Sequence, residues 1–484
     1  MKINIVPEPQ KTEIKSEKTV FTLTHLAEIT ADRKSEKAYR SLLRFIEKAY
    51  ETEILGTGKE SVELKVSLDI KEKEGYRLSV SENKVLIEGA DESGVFWGVQ
   101  TFCELLFEND RSLCELEIYD FPLFSKRAFM LDCSSWFFTT DAVKLFLDAM
   151  AMHKLNVFHW KLTGDAGWRL ELYDNFLLSQ IGGYRAFTGL GKVPHGGFYS
   201  RADTEEILAY AKERCITVVP EITVPDRTTA AISAYPFLTC FEKPTLVATD
   251  FKEKKTALCL GKESTYDFLS SVLSEVSSVF ESGVVHLGGE KTEKADRSGC
   301  PYCEEKMRSL SLKSESGLYE YFLFRACETA KSFKMKPVLR FGELHVPEGV
   351  ICDCESGVSA EKAKALSALW IDSRYNLSLS EKELSAESFY ETKGENSAFG
   401  IQALLPTENV PSMKKAGELL FPRLGAFSEL AWTKKENRSF ERFVEKLDDY
   451  FRLVEFLPFD HAKKHGSNSL KRAAEKIQRW LKKQ

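Results

Sequence analysis

Two regimes of hydrophobic patterning divide this chain. Up to about residue 120 the pattern is mixed. Glu36 to Tyr50 carries Ala38, Leu42, Leu43, Phe45, Ile46 and Ala49 at helical spacing. Val62 to Leu68 alternates apolar and polar positions, as a half-buried strand does. Tyr76–Val80 and Val85–Glu88 flank the turn residues Ser81-Glu82-Asn83-Lys84 and predict a hairpin, followed by a helix from Ser93 to Phe107. Val20-Phe21-Thr22-Leu23 also reads as a strand. These elements predict a small α+β domain over 1–120 with a structural role, because no cluster of acids, histidines or cysteines collects there.

Beyond Phe121-Pro122-Leu123 the pattern changes to short apolar runs separated by amphipathic stretches. The runs are Arg127–Asp132, Val157–Leu162, Thr217–Ile222, Val284–Leu287, Pro337–Phe341, Val350–Asp353, Ser367–Ile371 and Phe399–Leu404. Helices are predicted between them at Asp141–Met152, Thr204–Arg214, Tyr266–Phe280, Gly317–Ser332 and Ala360–Ala365. Eight strands alternating with helices predict an α/β fold, a (β/α)8 TIM barrel over 121–460. An open doubly wound sheet is the alternative, but no glycine-rich phosphate turn follows a strand. Phe440 to Phe456 reads as a helix, and 461–484 as a basic helical tail.

Composition narrows the class. The chain has 484 residues, 43% of them hydrophobic, with 33 Phe, enough for a large core. Its 67 basic and 73 acidic residues leave a net charge of −6, which gives no support to a nucleic-acid partner. No run approaches the ~20 apolar residues of a membrane span. The N-terminus Met1-Lys2-Ile3-Asn4-Ile5 lacks the apolar core of a secretory leader. Eleven scattered cysteines, an odd number, fit reduced thiols and a cytoplasmic location. No motif implies a cofactor, and no feature sets an oligomeric state.

Candidate chemistry gathers at the fourth apolar run. Val284-Val285-His286-Leu287-Gly288-Gly289-Glu290-Lys291 carries a strand into two glycines and then into charge. In a barrel the C-terminal tips of the strands form the mouth, where active sites sit. Glu290 and Lys291 therefore face that mouth, either as ligand contacts or as a structural charge cluster. Glu343 offers a second carboxylate that could pair with Glu290 as in a two-carboxylate glycosidase. His159 and His286 lie in apolar strands and read as satisfied core histidines. Cys300-Pro301-Tyr302-Cys303 has the spacing of a redox dithiol. Alternatively it could join Cys352 and Cys354 in a zinc site, although the favoured reading has no metal.

Several ordered stretches together resemble glycoside hydrolase family 20, the β-N-acetylhexosaminidases. They are Lys126 to Ser134, Lys154 to Asp165 with Gly167-Trp168-Arg169, Gly196-Gly197-Phe198-Tyr199, Val218 to Pro225, His286-Leu287-Gly288-Gly289, Leu420 to Leu424 and Glu429 to Thr433. The resemblance implies the barrel and its N-terminal companion. It also implies handling of terminal N-acetylhexosamine glycans by a substrate-assisted reaction, an exception to the two-carboxylate scheme. In that family an Asp steadies the substrate's acetamido group while the next residue, a Glu, protonates the leaving oxygen. A His and a second Asp form a relay that tunes the acid, and Trp side chains wall the pocket.

Here the family Asp-Glu pair falls on Glu290 and Lys291, the relay His on Arg227 and the relay Asp on Gly164. The resemblance assigns sugar contacts to Arg127 and Glu408, with an ion pair to Asp132 or Glu408 as the alternative for Arg127. A wall Trp falls on Phe341, next to Glu343, and another on Pro406. Losing acid, relay His and relay Asp together implies hexosaminidase activity that is weak or lost. An unperturbed Lys titrates about three units above neutrality and makes a poor general acid. A glycosidase of altered mechanism, a glycan-binding barrel that does not cleave, and a scaffold that binds no sugar all remain open at this point.

Overall fold

The computed structural model describes residues 2–186, 193–252, 256–290, 295, 297–341, 347–366, 368–380, 384–392 and 398–459. Lys291, Glu343 and the expected C-terminal helical tail lie outside the described residues.

The N-terminal part contributes strands β1 (Lys11–Thr22), β2 (Glu28–Ala31), β3 (Ser61–Val66), β4 (Tyr76–Ser81), β5 (Lys84–Gly89) and β6 (Ser112–Asp120). They form one sheet in the order β1-β6-β4-β5-β3-β2. Helix α1 (Glu36–Tyr50) buries Ala38, Leu42 and Ile46, one stripe at helical spacing. Helix α2 (Glu92–Glu108) is apolar nearly all round, because it lies between the sheet and the rest of the molecule. Its N-cap Asp91 accepts from the Gly94 N–H.

The remainder forms a closed barrel. Its strands are β7 (Arg127–Asp132) and β8 (Val157–Lys161), then, after the two-residue β9 (Tyr184–Arg185) and β10 (His195–Gly196), β11 (Thr217–Val224), β12 (Val284–Gly288), β13 (Lys336–Arg340), β14 (Ile351–Cys354), β15 (Leu369–Asn376) and β16 (Gly400–Leu405). Neighbours pair in parallel, and β16 closes on β7 with Ile401 opposite Arg127. The eight apolar runs of the sequence are these eight strands, with no end displaced by more than five residues and β7 matched at both ends. Helices α3 (Thr140–Met152), α4 (Leu177–Gln180), α5 (Arg201–Lys212), α6 (Thr229–Ala234), α7 (Glu263–Val279), α8 (Pro301–Ser309), α9 (Glu315–Ser332), α10 (Gly357–Ala365), α11 (Ser388–Glu391), α12 (Met413–Leu420), α13 (Arg423–Trp432) and α14 (Phe440–Val454) complete the described chain. The (β/α)8 barrel preceded by a small domain is the observed fold. No helix of the described residues is long and apolar enough to cross a membrane.

A buried polar seam joins the sheet to the floor of the barrel. Lys154 Nζ lies 3.1 Å from Asp120 Oδ2, with both side chains inaccessible to solvent. Asp120 also accepts from Tyr76 Oη at 2.6 Å and from Trp432 Nε1 at 2.9 Å. Glu74 accepts from Trp97 Nε1 at 3.0 Å and Asn156 Nδ2 at 3.0 Å. Buried polar groups need such partners, so this seam fixes how the two parts dock.

Candidate active site at the barrel mouth

Strand alternation fills the barrel interior with polar groups. His159 Nε2 lies 2.8 Å from Glu221 Oε2, and its Nδ1 meets Gln402 Oε1 at 3.1 Å. The His286 ring stacks on His159 with centroids 4.5 Å apart. The Gly288 N–H donates to His286 Nδ1 at 3.0 Å, so Nε2 carries the proton and donates to Asp353 Oδ2, also at 3.0 Å. Both histidines are buried and partnered, as their place in apolar strands implied.

Above this layer the strand tips enclose a cavity of about 220 Å³. Asp132 ends β7 and Ser134 and Ser135 follow it; Lys161 ends β8 and Gly164 and Asp165 follow it; Arg227 follows β11 and Glu290 follows β12. Arg340 ends β13, Glu355 follows β14, and Pro406 and Glu408 follow β16. Asp250 and Phe251 close one side from the loop after α6. Six carboxyl groups therefore line the cavity against three cations, Lys161, Arg227 and Arg340, and Phe251 is the aromatic wall among the described residues.

Local backbone places these groups. Gly288 (φ +70°) and Gly289 (φ +92°) turn the chain at the tip of β12, and a Cβ on Gly288 would meet Thr223 Cγ2 at 2.8 Å. Arg227 holds φ +58°, a left-handed conformation that is uncommon for a long side chain. Asp132 is fixed by Ser134 N–H at 2.8 Å, Ser134 Oγ at 2.6 Å and Ser135 Oγ at 2.7 Å.

Arg340 is the electrostatic centre. Its Nη1 donates to Glu290 Oε1 at 2.5 Å, and its Nε lies 2.7 Å from Glu355 Oε1. Glu221 and Asp353 stand 3.7 and 4.0 Å from the same guanidinium. Arg227 Nε adds a second cation 3.8 Å from Glu290 Oε2. Arg340 accordingly holds the Glu290 carboxyl below its ordinary range, against the opposing effect of burial. Glu355 behaves oppositely: burial pushes it up to about 7, and Arg340 only partly offsets this. Burial also raises Glu408, helped by the charge of Asp132. Glu290 is thus held towards its ionised form while Glu355 is poised near neutrality, the division that acid–base chemistry needs.

Two expected contacts are corrected. Arg127 is not at the mouth. It is the first residue of β7, and five strand steps of ~3.3 Å place it on the floor, at the end opposite Asp132. There it is fully buried and donates to Glu74 Oε2 at 2.6 Å, Lys154 O at 2.7 Å and Phe124 O at 2.9 Å. Its ion-pair partner is therefore Glu74, not Asp132 or Glu408. Phe341 does not wall the cavity either. It packs outside the barrel with Cys352, Cys354, Ala360, Ala363 and Trp370, because successive residues of a strand face opposite ways and Arg340 takes the inner position. Glu290, Glu408, Gly164 and Arg227 do line the cavity together.

Residues 2–121 match the family model "Glycosyl hydrolase family 20, domain 2", and residues 124–344 match "Glycosyl hydrolase family 20, catalytic domain". The chain belongs to glycosyl hydrolase family 20. A Beta-hexosaminidase of Porphyromonas gingivalis is 30% identical over 426 residues, covering 79% of this chain; the chain spans 54% of that protein. A Beta-hexosaminidase of Akkermansia muciniphila is 26% identical over 424 residues, 79% of this chain and 84% of that protein. Among solved structures, the β-N-acetylhexosaminidase of Bacteroides fragilis superposes with a TM-score of 0.81 at 27% identity, covering 94% of this chain and 96% of that one. The GH20 exo β-N-acetylglucosaminidase of Vibrio harveyi, in complex with N-acetylglucosamine, superposes with a TM-score of 0.83 at 24% identity, covering 94% and 77%.

A Cβ built on Gly164 would lie 2.6 Å from Ser134 Oγ, the hydroxyl already committed to Asp132.

Proposed function

We propose that this chain handles terminal N-acetylhexosamine glycans at the barrel mouth, and that the ordinary hydrolysis of family 20 is weak or lost. The observation that carries the reading is the Arg340–Glu290 contact of 2.5 Å, with Arg227 as a second cation at 3.8 Å. A family 20 acetamido-steadying carboxylate must meet the substrate's N–H as positive charge grows. Glu290 is one methylene longer than the family Asp and is already neutralised by two guanidinium groups. The relay positions hold Gly164 and Arg227, neither of which can return a proton at neutral pH. The carboxylates around the cavity remain suited to accept hydrogen bonds from sugar hydroxyls. A panel of β-linked amino-sugar glycosides scored for both binding and hydrolysis tests this. Saturable binding without ordinary turnover supports it; turnover at the rate of an intact family member overturns it.

Glu355 favours a second reading. A carboxyl poised at about 7 beside an ionised Glu290 could supply a general acid in a reaction unlike the family's own. That reading requires turnover of some glycoside in the panel, lost in Glu355→Gln.

A further inference from the structure

Cys300 and Cys303 have partners that their spacing does not reveal. Cys352 and Cys354 sit in the apolar cluster around Phe341 and Trp370, away from them. Instead, Cys240 and Cys259, from the loop between α6 and α7, meet Cys300 and Cys303 at the start of α8, and the four sulfurs all lie within 4.8 Å of one another. Cys259 Sγ is 3.7 Å from both Cys300 Sγ and Cys303 Sγ, and Cys240 Sγ is 3.9 Å from Cys303 Sγ. A disulfide would need ~2.05 Å. Four thiolates held at ~2.3 Å around a tetrahedral zinc ion stand about 3.8 Å apart. The observed spacing is that of a zinc cage.

The surrounding backbone is built to bring these sulfurs together. Gly261 packs so tightly on the first turn of α8 that a Cβ there would meet Tyr302 C and O at 2.2 Å and Cys303 N at 2.4 Å. The Gly261 and Lys262 N–H groups donate to Cys259 Sγ. The Lys262 ammonium binds Glu242 Oε1 at 2.7 Å, Thr239 O at 2.8 Å and Phe237 O at 3.0 Å, which ties the backbone on both sides of Cys240 to the chain after Cys259. Cys300 caps the N-terminus of α8, an end that favours thiolate. All four cysteines are buried, which removes the pair from reach of a redox partner despite its helix-end position.

We propose that Cys240, Cys259, Cys300 and Cys303 form a structural zinc site. Cys240 and Cys259 bracket the segment that presents Asp250 and Phe251 to the cavity, and Ala248 N–H on that segment donates to Asp165 O at 3.1 Å. The ion would therefore tie both ends of the segment that carries Asp250 and Phe251 to the start of α8. This site is independent of whether the mouth hydrolyses a glycoside.

The test is metal analysis of the full chain purified under reduction from zinc-supplemented medium, without a metal-affinity step. About one zinc per chain is expected, together with tetrahedral thiolate bands after cobalt exchange. The Cys240→Ser/Cys259→Ser variant should lose both and become sensitive to proteolysis within 241–258, whereas Cys352→Ser should keep its zinc. A wild-type chain that holds no metal and shows no cobalt bands after reconstitution overturns the site. Zinc retained by the double variant overturns the ligand set, and stoichiometric iron overturns the choice of metal.

Discussion

Replacing Arg127 separates two roles that the sequence left together. As a sugar contact, Arg127→Ala should weaken glycan binding and leave stability alone. As the floor bolt seen here, it should do the reverse. The guanidinium is fully buried and donates to Glu74, Lys154 O and Phe124 O at 2.6 to 2.9 Å, beneath the Trp432 ring at 4.9 Å. Removing one partner of a buried ion pair costs about 3–5 kcal/mol, because the other charge stays behind. The remaining charge is real at neutral pH: burial raises the Glu74 carboxyl, but Arg127 and the hydrogen bonds to it bring it below its ordinary 4.5. Such a carboxylate contributes stability above about pH 4.5 and loses it as pH falls through its lower folded value, so the deficit of the variant should shrink in acid. Urea unfolding followed by tryptophan fluorescence reads the effect, since Trp97 and Trp432 flank the pair. In a double-mutant cycle with Glu74→Gln the coupling should fall near the upper end of the ~0.5–3 kcal/mol range. Arg127→Ala with an unchanged urea midpoint, or with native stability and weakened glycan binding, refutes the reasoning.

Glu104 is buried and pushed up by desolvation to about 8, so the folded chain keeps a proton that the unfolded chain releases above about 4.5. Stability should therefore fall as pH rises from about 4.5 to about 8, by up to ~1.4 kcal/mol per pH unit, and Glu104→Gln should remove that slope in urea titrations. If Glu355 is the general acid, glycoside turnover should lose rate as pH rises through about 7, where Glu355 gives up its proton, and Glu355→Gln should lose that turnover across the pH range. Gly164→Asp should destabilise by about 1–3 kcal/mol in thermal unfolding, because its Cβ meets Ser134 Oγ at 2.6 Å, and Ser134→Gly should recover only part of the loss, since it relieves the clash but removes the hydroxyl that holds Asp132.

The barrel was legible because its strands are short apolar runs at regular intervals, and alternation with helices leaves few other topologies. The hairpin of β4 and β5 and helix α1 were legible for the same reason, periodicity set by one buried face. β6 was missed, since Ser112 to Asp120 mixes acids with its apolar positions and follows α2 after a short turn. At the mouth, the residues that follow strand tips (Glu290, Glu408, Gly164, Arg227) were legible from the family frame. Arg340 and Glu355 were not, although a period of two along β13 and β14 puts them inside and Phe341 outside. Arg127 misled because a charged residue beside a barrel strand says nothing about which end it occupies until the strand's direction is applied. The cysteine cage was out of reach for another reason: its two halves are 41 residues apart at their nearest, Cys259 and Cys300, and only the fold joins them.

The family 20 frame persists in this chain, and the proposal is that its ordinary chemistry does not. It is tested most directly by assaying an aryl β-N-acetylglucosaminide beside an intact family member, with calorimetric titration of N-acetylglucosamine oligosaccharides into the same preparation. Saturable binding is expected with hydrolysis at least ~10²-fold slower, the scale lost when a general acid is removed. Hydrolysis at the intact enzyme's rate, abolished by Lys291→Ala, would contradict it.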